Sequence, residues 1–137
     1  MELPASEPDR HTAADLLGVL AELECREPIF HHPEFGTSRE DFERATAPDF
    51  WETGASGQRY SREFVWATLE QRRLAAEPGA EEDSWQTSDF LLREIASDTY
   101  LLTYTLQQDD RLTRRLTVWQ RAANDWTILY HQGTVVG

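Results

Sequence analysis

The sequence predicts a small α+β domain in which helices come first and a curved, mainly antiparallel sheet follows. Three observations carry this. Apolar residues recur at helical spacing in the first half, four strand-length runs separated by polar turns fill the last third, and 137 residues suit one domain. A chain of this length buries roughly 65–70% of the surface its unfolded form exposes, so it needs no disulfide or metal to fold.

Residues 1–10 carry two prolines and several acids and read as a loose arm, leaving 11–137 as a single domain. Helical spacing begins near Thr12, with Leu16, Leu20, Leu23 and Phe30 on one face. Thr12 is placed to cap it, with Asp15 three residues on, and Pro28 kinks or ends it. Cys25, the single cysteine, falls among apolar residues and reads as a small core residue. A second short helix opens at Ser38, with Glu40 and Asp41 in its first turn, and stops before Pro48. Asp49–Thr53 reads as a strand, Gly54–Gly57 as a turn, and Arg59-Tyr60 as a segment pairing back across it. Ser61 caps a third helix running to about Ala76, with Phe64, Val65, Leu69 and Leu74 inward. Glu77–Asp83 is a solvated acidic loop rather than a calcium site, because it lacks the glycine-centred alternation of an EF-hand.

Four strands follow, at about Ser84–Ile95, Thr99–Gln108, Arg111–Arg121 and Trp126–Val135. Their short links imply an antiparallel meander. A sheet curled around helices leaves a cavity on its concave face, where small molecules bind. If the hairpin loops are even, Tyr104 lies opposite Arg115 and Thr117 opposite Tyr130. One face then gathers Tyr100, Leu102, Tyr104, Arg115, Thr117, Trp119, Ile128, Tyr130 and Gln132, and the other carries Leu101, Thr103, Arg114, Leu116, Val118, Leu129 and His131. The first set is bulkier and reads as the ligand-binding face. One β-bulge would exchange the faces beyond it.

Charge narrows the function classes. The net charge is −12 and every basic residue is arginine. Such a chain repels phosphate backbones and anionic headgroups, so nucleic acid and membrane are poor partners. No apolar run approaches the roughly 20 residues of a membrane span, and the acidic N-terminus lacks a signal-peptide core. A cytoplasmic location is the resulting expectation.

Asp49-Phe50-Trp51-Glu52-Thr53-Gly54-Ala55-Ser56-Gly57 resembles the D-F-x-E-x-G-x-S-G stretch of the DUF4440 family. Trp119 followed by Trp126-Thr127-Ile128-Leu129-Tyr130-His131-Gln132-Gly133-Thr134 resembles its closing W…W-x-I-x-x-H-Q-G-T hairpin. Leu23-Glu24 matches its L-E pair, and Arg115-Leu116-Thr117-Val118-Trp119 is similar to its R-x-S-x-W strand, with threonine in place of serine. The likeness spans about Asp15 to Thr134 and departs at His31–Gly36, a variable linker in that family. It implies an NTF2-like (SnoaL-like, cystatin-like) cone, about three helices on a curved sheet, with a central pocket and frequent homodimers. It implies no one activity, since isomerases, dehydratases, cyclases and non-catalytic binders share the fold.

Three constellations are candidates. Glu52 and Glu24, with His131 as partner and Arg115 as anion holder, are the groups acid–base chemistry needs, because a carboxylate in a dry pocket can move a proton near neutral pH. The plainer reading is a structural ion pair between a glutamate and Arg115. His31, His32 and Glu34, with His11 more distant, are potential metal ligands, but adjacent histidines seldom share one ion and a solvated turn explains them. On that reading His31 packs near the pocket mouth, and no metal or cofactor is implied. Tyr104, Arg115, Thr117, Trp119, Tyr130 and Gln132 are the expected ligand-binding residues. The leading expectation is a small-molecule-binding homodimer. The alternatives are a small acid–base enzyme (isomerase, dehydratase or hydrolase) and a module that binds a partner chain on its outer sheet face.

Overall fold

The computed structural model describes residues 6–76 and 84–136. Residues 1–5 of the expected arm and the acidic loop 77–83 lie outside them. A 3₁₀ turn at Ala14–Leu16 leads into α1 (Leu17–Glu24), and a second, at Pro33–Phe35, precedes α2 (Arg39–Ala45). Then come β1 (Thr46–Thr53), β2 (Arg59–Ser61), α3 (Arg62–Ala75), β3 (Trp85–Ala96), β4 (Thr99–Gln108), β5 (Arg111–Ala122) and β6 (Asp125–Val135). Three helices thus pack on one six-stranded mixed sheet of order β2-β1-β6-β5-β4-β3.

The element order and the meander agree with the sequence reading. Ser38 caps α2 in a capping box with Asp41, and the Ser61 hydroxyl accepts the Phe64 amide at the start of α3. The hairpin turns place Asp98, Asp109 and Ala123 at positive φ, which aspartate tolerates better than most residues. The parallel pairing of β1 with β6 closes the cone by bringing Glu52 beside His131. Nothing local in either strand announces a parallel partner, so the pairing is a tertiary feature.

Several local expectations are corrected. Thr12 does not cap the first helix. Its hydroxyl accepts the Leu92 amide at 3.1 Å, tying the N-terminal segment to the edge strand β3. The first helix ends at Glu24, so Cys25 falls past its last turn and is exposed. Phe30 leaves the helix at positive φ but still packs its ring on Phe42 and Phe50. In α3 the inward stripe is Arg62, Val65, Trp66 and Leu69, so Val65 and Leu69 face inward as expected, while Trp66 replaces Phe64 and Leu74 points out. Phe64 and Leu74 are therefore 53% and 80% exposed.

The sheet faces turn on one bulge. Between β5 and β6 the expected register holds as far as Trp119 opposite Ile128. Val118 then pairs with Tyr130, leaving Leu129 as the extra residue, and Thr117 faces His131 rather than Tyr130. Beyond that point the alternation inverts. Tyr130 and Gln132 move to the outer face, and His131 and Gly133 move to the concave one. The concave rows become Tyr100–Trp119–Ile128, Leu102–Thr117–His131 and Tyr104–Arg115–Gly133. A side chain at Gly133 would press on the Arg115 guanidinium, since a Cβ there falls 3.3 Å from it. The core fills the space between this face and the helices with Leu23, Phe42, Phe50, Trp66, Leu102 and Trp126.

Candidate functional site

A cavity of about 350 Å³ opens between the helices and the concave face. Its depth is apolar. Ile29 comes from the α1–α2 linker, Phe42 from α2, Trp66 from α3, Trp119 from β5, and Trp126 and Ile128 from β6. All six are buried. The α3 stripe that supplies Trp66 and Leu69 continues one turn on to Arg72 and Arg73, which reach the rim. Arg26, His31 and His32 join them from the linker. The volume lies at the lower end of the range for ligand pockets, and the apolar lining with few polar groups has their usual character.

Behind Trp119 lies a buried polar chain. Glu27, 1% exposed, sits just before Pro28 in the linker. Its carboxylate accepts the Tyr104 hydroxyl at 2.8 Å, the Trp119 indole N–H at 3.1 Å and the Ile29 amide at 3.2 Å, and Thr117 donates a fourth bond. The Thr117 hydroxyl also meets His131 Nδ1 at 2.8 Å, and Arg115 Nη1 approaches His131 Nε2 at 3.4 Å. The donor inventory allows one consistent assignment. Arginine only donates, so Nε2 accepts, Nδ1 carries the proton and gives it to Thr117 Oγ1, and the Thr117 hydroxyl donates to Glu27. His131 is then neutral. Complete burial, reinforced by the Arg115 charge, agrees with this by holding its pKa down at about 3. Burial pushes the Glu27 pKa up, and the four donated bonds oppose that shift. Burial and the Glu27 charge beside it raise the Tyr104 phenol well above its ordinary value.

Of the acid–base set, Glu52 and His131 share the concave face as strand neighbours, but no hydrogen bond joins them. Burial raises the Glu52 pKa, and the charges of Arg115 and Arg72 partly offset this. Burial also lowers the Arg115 pKa. Neither Glu52 nor His131 lines the large cavity. Glu24 ends α1 exposed to solvent, which corrects its reading as a pocket carboxylate. The buried acid is Glu27, one turn further on, because the chain leaves the helix there.

The expected ligand-binding set divides. Trp119 lines the large cavity, and Tyr104 and Thr117 bind Glu27 behind it. Arg115, Tyr104 and Gln132 border a second recess of about 270 Å³ that also touches Arg10 and Arg114. Tyr130 and Gln132 are corrected to the outer face. There the Tyr130 hydroxyl bonds Gln132 at 2.6 Å and Thr53 at 2.7 Å, and its ring packs on Trp51. The histidine turn behaves as a turn. His32 donates to the Glu27 carbonyl at 2.8 Å and meets Glu34 at 3.2 Å, and among the described residues no three metal-ligating side chains converge. His31 lines the cavity.

Sequence reasoning passed over Glu27, Arg72 and Arg73. An acid inside Glu27-Pro28-Ile29-Phe30, flanked by apolar residues after a helix stop, was the available signal for the first. The phase of α3 was the signal for the other two.

No protein-family model matches the chain, and no curated protein matches it in sequence. Solved structures do. An NTF2-like protein from Cytophaga hutchinsonii aligns with TM-score 0.62 at 17% identity, covering 92% of this chain and 100% of that one. A DUF3225-family protein of unknown function from Pectobacterium atrosepticum gives 0.63 at 14%, covering 91% and 94%. A candidate ketosteroid isomerase from Parabacteroides distasonis gives 0.54 at 16%, covering 89% and 86%. At these identities the likeness speaks to architecture: three helices over a curved six-stranded sheet, here enclosing an aromatic cavity, make this chain an α+β protein with the NTF2-like cone fold.

Proposed function

We propose that this protein binds a small, largely apolar molecule in the cavity between its helices and the concave sheet face, as a DUF4440-type member of the NTF2-like superfamily. The observation that carries the reading is the cavity itself. Six buried apolar side chains wall about 350 Å³ that Trp119 borders without filling. The closing Trp126–Thr134 motif supports the DUF4440 assignment. A thermal-shift screen of small flat metabolites tests binding. A ligand specific for the native state, at a hundredfold excess over its dissociation constant, adds about 2.7 kcal/mol of stability. A screen in which no compound raises the melting temperature counts against the reading.

A second reading, acid–base catalysis, rests on Glu52, a half-buried carboxylate with a raised pKa between Arg115 and Arg72. The likeness to a candidate isomerase is compatible with it. Turnover of any substrate that survives Glu52→Gln unchanged would remove Glu52 from that role. We also infer a homodimer formed through the outer face, where Trp51 is 43% exposed against Tyr130. Light scattering that gives a monomer at micromolar concentration would contradict it.

A further inference from the structure

We propose that the cavity selects a small oxyanion, a flat apolar body carrying a carboxylate or similar group, whose apolar end enters first and whose charge stays at the Arg26–Arg72–Arg73 rim. The proposal rests on the binding reading above and deepens it.

The lining is polarised from floor to rim. The floor residues Phe42, Trp66, Trp119, Trp126 and Ile128 are buried, whereas Arg72 and Arg73 are exposed and Arg26 is half-exposed. A ligand gains by burying rings at the floor and loses by burying a charge there, because a charge without a partner is costly in an apolar site. Its charged end therefore belongs at the rim.

The sign of that charge follows from the rim's own pairing. Acids outnumber bases 25 to 13, yet none of the three rim arginines has a carboxylate within 4 Å among the described residues. Two are positioned by rings and backbone instead. The Arg26 guanidinium lies 4.4 Å from the Phe35 ring centre, and that of Arg73 lies 5.7 Å from the Trp66 ring centre and donates to the Thr37 carbonyl. Arg72 makes no hydrogen bond among the described residues, and its charge acts on Glu52. Among the described residues the single carboxylate in the lining, Asp41, is already engaged by the Ser38 amide, the Ser38 hydroxyl and Arg44. Guanidinium N–H edges thus remain available, in the geometry that fits an oxyanion. The chain's net charge of −12 disfavours a multiply charged ligand, so a monoanionic carboxylate fits better than a phosphate dianion.

The test compares 2-naphthoate with the neutral 2-naphthamide, which has nearly the same shape. Binding is followed by NMR through the indole N–H signals of Trp66, Trp119 and Trp126. The expected result is that both ligands shift these signals, with naphthoate at least tenfold tighter at low salt. Arg72→Gln and, separately, Arg26→Gln should each cut that preference severalfold while leaving naphthamide affinity unchanged. Naphthamide binding also reports that each variant is folded. Equal affinities for the two ligands would overturn the oxyanion proposal and leave the cavity reading standing. A preference that survives in both variants would also overturn it. Indole signals that respond to neither ligand would overturn both readings.

Discussion

The indole N–H of Trp119 donates to the Glu27 carboxylate at 3.1 Å, joining the linker between the first two helices to the middle of β5. Trp119 also walls the cavity, so one side chain both lines the pocket and holds the linker that forms its lip. All four contacts to Glu27 are donors. Glu27→Gln puts an amide NH₂ where a donor already stands. It should cost about 1–3 kcal/mol of stability in urea unfolding, the usual penalty for a buried group left unpaired. A double-mutant cycle with Trp119→Phe should show a coupling of about 0.5–3 kcal/mol. Additive losses would mean that the bond contributes nothing of its own.

Thr117 links two buried titratable groups, accepting from His131 and donating to Glu27. Thr117→Val keeps the shape and removes both bonds. About 1–3 kcal/mol of destabilisation is expected. Thr103→Val, on the outer face next to Tyr104 in β4, should stay within about 0.5 kcal/mol. Equal effects of the two substitutions would contradict the assigned chain.

Acid should act through His131. Its folded pKa of about 3 lies below the ordinary 6.5, so between those values the unfolded chain binds more protons. Stability therefore rises with pH across that window and is lost as pH falls through it, by an amount on the order of 4–5 kcal/mol. Glu27 and Glu52 act in the opposite sense. Their raised values make the folded state bind more protons, so their contribution falls as pH climbs above the ordinary 4.5. His131→Gln should flatten the acid-side rise of the stability–pH curve, and Glu27→Gln should steepen it. A His131→Gln curve that matches wild type would show that the imidazole does not titrate with unfolding.

The fold was readable because its signals are local and periodic. The four late strands, the Ser38 and Ser61 caps and the turn after Thr53 each announce themselves within a few residues. The site was harder to read, because its geometry depends on single-residue offsets. The bulge at Leu129 carries His131 inward and Tyr130 and Gln132 outward, and nothing in the Ile128-Leu129-Tyr130 run marks which residue is the extra one. The α3 stripe runs through Val65 and Trp66 rather than Phe64, because tertiary packing chose between two apolar phases. Little local to Glu27 marks it as buried, since it stands between an arginine and a proline just past a helix end. Only the partners 77, 90 and 92 residues away, Tyr104, Thr117 and Trp119, make it a buried one.

Ala45, the last residue of α2, faces the cavity and offers a way to fill it. Native mass spectrometry of wild type and Ala45→Leu, each titrated with neutral 2-naphthol, asks most directly whether the cavity takes a small molecule. One ligand per chain is expected on wild type. In Ala45→Leu the bound fraction should fall at least tenfold while the melting temperature holds or rises. Equal occupancy of the two proteins, or none on wild type at millimolar naphthol, would contradict a binding cavity at this place.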